Sequence, residues 1–257
     1  MKHTLNTVFF IAVFVVLIIA SFYYTISWWL FPLPFVGWFI ISAIGSGLVQ
    51  SNYHIKTFCS NPGINTRQVA ISFDDGPHPE TLKVLDLLKK YNAKATFFCI
   101  GSQIEKHPEI FKKMMSEGHT FGNHTYSHSP RFGLFSTDKI VDELTGTNKL
   151  IKENSGREAA FFRPPYGVTT PSMAKAIRIT GHDVIGWNIR SLDAVIKSEE
   201  KIFNRIKSRL KPGSIILLHD TSEKTVNVLE QLLVLLQQNN YEAVTIDRLL
   251  NRPAYEN

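Results

Sequence analysis

From Gln68 onward the chain alternates between short β-branched or aromatic runs and longer stretches with apolar residues at helical spacing. The strand-like runs are 68–73, 95–100, 119–123, 159–163, 183–188, 214–218 and 242–246. Between them lie amphipathic stretches at 80–91, 108–117, 137–154, 171–180, 199–210 and 223–239; Leu82, Leu85 and Leu88 show the period in the first. Gly118, Gly156 and Gly181 stand where helices should end. Strand–helix alternation predicts a mostly parallel sheet covered by helices. Seven strands could form an open doubly wound sheet or a barrel. No Gly-x-Gly-x-x-Gly turn follows the first strand, which weakens a dinucleotide-binding reading. The polar clusters Asp74-Asp75, His124, Arg163, Asp193 and His219-Asp220 all lie just past strands, as at the C-terminal rim of a barrel. The expected fold is therefore α/β, a distorted, incomplete (β/α) barrel of about seven strands.

The pattern before residue 68 is different. Residues 4–53 contain no Asp, Glu, Lys, Arg or His. Residues 8–31 form a nearly continuous apolar run, and a bilayer core takes ~20 residues as a helix. Pro32-Leu33-Pro34 is expected to break it, and a second apolar run covers 35–49. A signal peptide usually has an apolar core of ~7–15 residues and then small residues. Here the run is longer and Phe22, Tyr23, Tyr24, Trp28 and Trp29 lie in it, so an N-terminal transmembrane segment of one or two helices is expected. A two-helix hairpin would place Lys2 and Lys56 on one side; a single span would separate them. The domain reading is a membrane anchor at 1–52, a linker at 53–67 and a catalytic domain at 68–257.

The remaining ~200 residues suffice for one domain with a sizeable core. Net charge is +6 across 257 residues, and the hydrophobic content of 44% is that of an ordinary globular chain. No Lys/Arg stripe interleaved with aromatics is present, so no nucleic-acid partner is expected. The mild basic balance reads either as a solvated surface or as cations set near anionic lipid, and the apolar runs make a lipid bilayer an expected partner. Of the two cysteines, Cys99 lies in a strand-like run and reads as a buried free thiol.

The chemistry is concentrated in four clusters. Asp74 and Asp75 end an apolar run, Val69-Ala70-Ile71-Ser72-Phe73-Asp74-Asp75-Gly76-Pro77. Adjacent carboxylates could be a helix cap or a turn. His124 and His128 follow in His124-Thr125-Tyr126-Ser127-His128, and an i, i+4 pair shares one face of a helical turn. With one carboxylate, two such histidines complete a facial metal set with open positions; the second carboxylate is left as a base. Phe162-Arg163-Pro164-Pro165-Tyr166-Gly167 presents Arg163 from a stiffened turn, able to hold a carboxylate by a bidentate contact or to close a strand-end salt bridge. Ile215-Ile216-Leu217-Leu218-His219-Asp220 places a histidine at a strand end, as a proton donor or a core histidine.

These four motifs, in this order, resemble the NodB-like polysaccharide deacetylases, carbohydrate esterase family 4, over about residues 69–250. The resemblance implies a metal-dependent hydrolase that removes N-acetyl groups from a carbohydrate such as peptidoglycan or a chitooligosaccharide. It implies Asp74 as general base, and Asp75, His124 and His128 as ligands of a divalent metal, usually zinc. Arg163 would position the base, the Tyr166 N–H would bind the oxyanion, His219 would be the general acid, and Leu217 would line the acetyl pocket. An Asp-Trp pair commonly follows the family's fifth strand, its Asp tuning the catalytic histidine. Here Asp193 keeps the acid, Ala194 replaces the Trp, and Arg190 stands where another acid is frequent. The same chemistry on an O-acetyl ester or a non-sugar amide, and a non-catalytic glycan-binding barrel, are the alternative readings.

Overall fold

A computed structural model describes residues 2–256. Strands β1 (Thr57–Phe58), β2 (Gln68–Asp74), β3 (Ala95–Cys99), β4 (Thr120–Asn123), β5 (Phe161–Phe162), β6 (Asp183–Ile185), β7 (Ile189–Arg190), β8 (Ile215–His219) and β9 (Glu242–Val244) form one sheet. Its order is β1-β6-β5-β4-β3-β2-β8-β7, with β9 paired to the start of β2, and every pairing is parallel. β1 and β7 end the path without pairing to each other, so the barrel is incomplete.

Helices α3 (Thr81–Lys90), α4 (Gly101–Lys106), α5 (Pro108–Ser116), α6 (Thr137–Ser155), α7 (Pro171–Thr180), α8 (Glu199–Lys207), α9 (Glu223–Gln238) and α10 (Ile246–Leu250) accompany the sheet. Strand β2 shows how the two faces divide. Val69, Ile71 and Phe73 pack with α3 and α9 residues such as Leu85, Leu88 and Leu229. Ala70 joins Phe98, Trp187 and Leu217 in the barrel interior. The period of two therefore sends Ser72 and Asp74 to the interior too. Each fully buried Phe or Leu contributes about 1.5–3 kcal/mol, so these two layers fix the register that aims Asp74 inward.

The seven expected strands are present, and two further ones join them. β1 lies within 53–67, the expected linker: Thr57 and Phe58 pair with Val184 and Ile185, and Asn61 N–H donates to the Gly213 carbonyl. That stretch is built into the barrel.

The N-terminal segment is two helices, α1 (Lys2–Ser21) and α2 (Leu33–Gly47). The break comes at Ser21 rather than at Pro32. Pro32 is instead the N-cap of α2 with Pro34 in its first turn, where a missing N–H costs nothing. The helices form a hairpin: Trp38 Nε1 donates to Thr7 Oγ1 (3.1 Å), and Asn6 Nδ2 to the Tyr53 hydroxyl (2.7 Å). Lys2 Nζ reaches the Ser51 carbonyl (2.6 Å), so the chain start lies beside the entry to the barrel. The stretches Lys2–Ser21 and Trp28–Gly47 are each long and apolar enough to cross a membrane, and their outward side chains, including Phe9, Val16, Phe39 and Ile44, are exposed.

Candidate active site

Backbone geometry at the strand ends sets the site. Nine described non-glycine residues have positive φ; four are Asn, and the other five are Asp75, Thr125, His128, Tyr166 and Leu192. All five lie in or beside the motifs singled out by sequence. Left-handed backbone is costly for Thr, Leu and Tyr, so the strain is concentrated where side chains must be re-aimed. After β2 the turn at Asp75 (φ 75°) sends its carboxylate across the rim. Gly76 follows because a Cβ there would press into the Asp220 carboxylate.

His124 and His128 do not share a helical turn. Residues 124–128 are an irregular loop after β4, bent by positive φ at Thr125 and His128. Glu143 of α6, buried, holds this loop: it accepts from Tyr126 N–H (3.0 Å), Ser127 N–H (2.7 Å) and Ser127 Oγ (2.8 Å). Asn123 Oδ1 accepts from Thr125 N–H (2.9 Å).

Asp75 Oδ1 lies 3.5 Å from His124 Nε2 and 3.4 Å from His128 Nε2. These are long for hydrogen bonds, and the buried Oδ1 has no such partner. Two atoms bound to one tetrahedral ion at ~2.0–2.1 Å would stand roughly 3.4 Å apart. His124 Nδ1 bonds the Arg163 carbonyl (2.7 Å) as a donor, which leaves Nε2 with its lone pair toward Asp75. The orphaned oxygen, the spacing and the fixed tautomer all fit a divalent metal. A set of two imidazoles and one carboxylate suits zinc. Burial opposes the Asp75 charge, but attraction from His124 and His128 outweighs it and lowers its pKa to about 2.

Beside this triangle Asp74 is nearly fully buried, with Oδ2 3.8 Å from His124 Nε2. Arg163, fully buried, donates from Nη1 to Asp74 Oδ1 (2.8 Å). The contact is single rather than bidentate. Nη1 also serves Ser72 Oγ (2.8 Å), Nε the Ile185 carbonyl (3.3 Å) and Nη2 the Gly186 carbonyl (3.0 Å). The guanidinium lies 4.0 Å from the Phe98 ring centroid. All three nitrogens of the guanidinium are used, which is what makes a buried arginine tolerable.

His219 is the register partner of Asp74 on the adjacent strand β8. Asp193, on the loop after β7, accepts from His219 Nδ1 and His219 N–H, both at 2.8 Å. Its remaining acceptors take Ser191 Oγ (2.7 Å) and Thr225 Oγ1 (2.9 Å). Burial opposes an imidazolium at His219, but the Asp193 bond and charge, with Asp74 and Asp75 behind, raise its pKa to about 9. Nδ1 is occupied, so Nε2 is the nitrogen left to act.

Tyr166 sits in the left-handed turn after Pro164-Pro165, its ring 4.9 Å from that of His128. Leu217, two residues before His219, packs against the interior layer with Phe98 and Trp187. Ala194 is exposed, so the wall that a Trp would form is open. Asp220 turns away from the rim, accepting from Thr81 Oγ1 (2.5 Å), and burial raises its pKa to about 7. Both cysteines are free, Cys99 fully buried.

The sequence reading missed Ser72, Glu143, Ser191 and Thr225. Glu143 had a signal: a charge on the apolar stripe Ile140, Leu144, Thr147, Ile151 of α6. Ser72 had one too, a polar residue inside the apolar β2 run.

Comparison with known proteins agrees with this geometry. Residues 63–185 match the family model described as polysaccharide deacetylase. A Bacillus cereus protein named peptidoglycan-N-acetylglucosamine deacetylase is 35% identical over 187 residues, covering 71% of this chain and 68% of that protein. Peptidoglycan-N-acetylmuramic acid deacetylase PdaC of Bacillus subtilis is 31% identical over 186 residues; the match covers 72% of this chain but 39% of PdaC. The crystal structure of the Bc1960 peptidoglycan N-acetylglucosamine deacetylase superposes with a TM-score of 0.73 at 32% identity, over 77% of this chain and 94% of that one. The chain belongs to the polysaccharide deacetylase family and is a hydrolase of that family.

Proposed function

We propose that this polysaccharide deacetylase removes the acetyl group from an N-acetylated amino sugar of peptidoglycan or a related glycan. Asp74 is its base, His219 its acid, and Asp75, His124 and His128 its metal ligands. One observation carries the reading: a ligand-spaced Asp75–His124–His128 triangle lies between an Arg163-held carboxylate and an Asp193-held imidazole. The substrates named for the similar Bacillus proteins support the sugar class.

A divalent ion, zinc by its donor set, would polarise the acetamide carbonyl and acidify a water there. Asp74, held in place by Arg163, accepts the proton of the attacking water. The Tyr166 N–H, fixed by its left-handed turn, donates to the oxyanion. His219 enters as imidazolium, since its pKa is raised to about 9 at neutral working pH, and donates from Nε2 to the departing nitrogen. Acetate and a free amine leave. Asp193 keeps the donated proton on the correct side of the ring and stabilises the charged form.

The apolar hairpin α1–α2 is proposed as a membrane anchor, holding Lys2 and the barrel on the same side. Reporters fused before α1 and after Asn257 should report the same face; opposite faces would refute the hairpin anchor. For the chemistry, the full chain is supplied with zinc and acetate release is measured on chitotetraose and peptidoglycan fragments. Release that chelator abolishes and zinc restores is expected. Absence of metal-dependent release from every N-acetylated glycan overturns the reading.

A further inference from the structure

A groove of about 220 Å³ lies where the hairpin enters the barrel. It is lined by Leu48 and Gln50 from the end of the hairpin, by Tyr166 and Arg190, and by Arg205 of α8 and Arg209 just beyond it. Tyr166 is thus shared between this groove and the catalytic rim, where its ring stands over His128.

None of the three arginines forms an ion pair with a carboxylate among the described residues, which is also true of Arg67, Arg131, Arg157 and Arg178. Arg205 Nε donates to the Arg190 carbonyl (2.8 Å), and Arg209 Nη1 to the Arg205 carbonyl (3.3 Å), so backbone oxygens tie Arg205 to β7 and Arg209 to Arg205. Arg190 lies 5.7 Å from the Trp187 ring centroid, and Gln50 ties the hairpin to Trp187 through its carbonyl (2.6 Å). Gathered cations repel each other, and a bound anion would relieve that. The helix C-terminus of α8 accounts for Arg205 and Arg209 alone; Arg190 comes from β7 and needs another reason. Planar guanidinium groups set around a concave space suit phosphate or carboxylate oxygens, and beside an apolar hairpin the anion to expect is a lipid phosphate.

We propose that this groove binds the phosphate of a membrane-lipid carrier, so that the substrate is an N-acetylated sugar joined to a lipid through phosphate or pyrophosphate. The proposal rests on the deacetylase reading and names the substrate class of that same site. The position gives the reason. The lipid end would enter beside the apolar hairpin, the phosphate would meet Arg190, Arg205 and Arg209, and the sugar would pass Tyr166 toward Asp75 and Asp74. The open wall at Ala194 lies on the same β7–β8 side of the rim.

The test uses the zinc-loaded full chain in phosphatidylcholine nanodiscs. Acetate release is measured on farnesyl-pyrophosphoryl N-acetylglucosamine and on chitotetraose, for the native chain and for Arg190→Gln/Arg209→Gln. Arg205 is left in place because it supports the β7 backbone. Removing one charge-assisted hydrogen bond to phosphate is expected to raise KM about tenfold, so the double variant should be weakened on the order of a hundredfold on the lipid-linked sugar. Its kcat, and its turnover of chitotetraose, should be unchanged. Equal loss on both substrates means the arginines are structural and overturns the proposal, as does no loss on either. Replacing part of the phosphatidylcholine with phosphatidylglycerol distinguishes the other source of phosphate. An arginine-dependent effect of that lipid on chitotetraose turnover, without discrimination between the substrates, would assign the groove to bulk headgroups and overturn the carrier reading. Binding of the farnesyl lipid to the metal-free chain, read by thermophoresis, separates the two levels. Arginine-dependent binding with no acetate release from any substrate keeps the groove and removes the deacetylase reading.

Discussion

The two flanks of the site hold the proposed base and acid by opposite means. On the Asp74 flank a buried cation, Arg163, donates to the carboxylate; on the His219 flank a buried carboxylate, Asp193, accepts from an imidazole and raises its pKa. Asp74 and His219 are register neighbours on β2 and β8, so one strand pairing presents an anion and a cation side by side. The imidazolium would not hold its charge unaided in so buried a position. The supporting groups are in turn saturated: Arg163 by Ser72 and two carbonyls, Asp193 by Ser191 and Thr225.

Removing the working groups is the severest break. Asp74→Asn and His219→Gln should each lower kcat by about 10²–10⁴-fold, and the double variant by far less than the product, because the pair acts as a unit. Zinc content by elemental analysis should stay at the native level in both; its loss in Asp74→Asn would make Asp74 a ligand and collapse the distinction between the flanks.

Next in size is the loss of a supporting charge. Asp193→Asn should move the basic limb of the pH–rate profile down. The His219 pKa is raised from 6.5 to about 9 chiefly against burial by Asp193, and a bound cation pulls the native limb below that value. The stability consequence has a definite sign. With the folded pKa above the unfolded one, the ion pair's contribution is complete below pH 6.5 and is lost as pH rises through about 9. The Tm gap between native and Asp193→Asn metal-free chains should therefore shrink across that window; a gap that widens would refute the assignment.

Glu143→Gln tests the space between the flanks. It weakens the loop that carries His124 and His128, so zinc affinity should fall about tenfold or more while the pH limb stays in place. A competition titration with a zinc chelator reads the first and the pH profile the second. The smallest effect is expected from Ser72→Ala, which removes one hydrogen-bond partner of Arg163 and leaves the others. About 1 kcal/mol of stability should be lost in denaturant unfolding, with kcat reduced only a few-fold.

Much of this was legible in the chain itself. The long helices α3, α5, α6, α7, α8 and α9 announced themselves by spacing, and β2, β3 and β8 by continuous apolar runs. β1 and β7 were not, because two-residue strands have no period to detect and exist only through their partners. α4 was hidden between Cys99 and Pro108, and α10 was expected as the end of a strand because Thr245-Ile246 is β-branched. The break at Ser21 was invisible to hydropathy, since the run stays apolar through Phe31. The named site residues were picked out by their order along the chain, and the structure brings Asp74, Asp75, His124, His128, Arg163 and His219 together, yet the loop around His124 and His128 was misread as helical. Its bend is enforced by Glu143, a residue fifteen positions beyond His128, and no local pattern carries that information.

The join between hairpin and barrel has almost no slack. Thr57 Oγ1 donates to the Val49 carbonyl (2.6 Å), Thr57 N–H to Asn52 Oδ1 (2.6 Å), and Gln50 is fastened to Trp187. With the hairpin seated in a bilayer, the rim would ride at one fixed height and tilt. Such an enzyme searches a plane rather than a volume. Its turnover would follow the number of substrates per unit area of membrane, and dilution of the cell contents would leave it unchanged. Lengthening the chain between Gly47 and Thr57 by a flexible insert would return it to three dimensions.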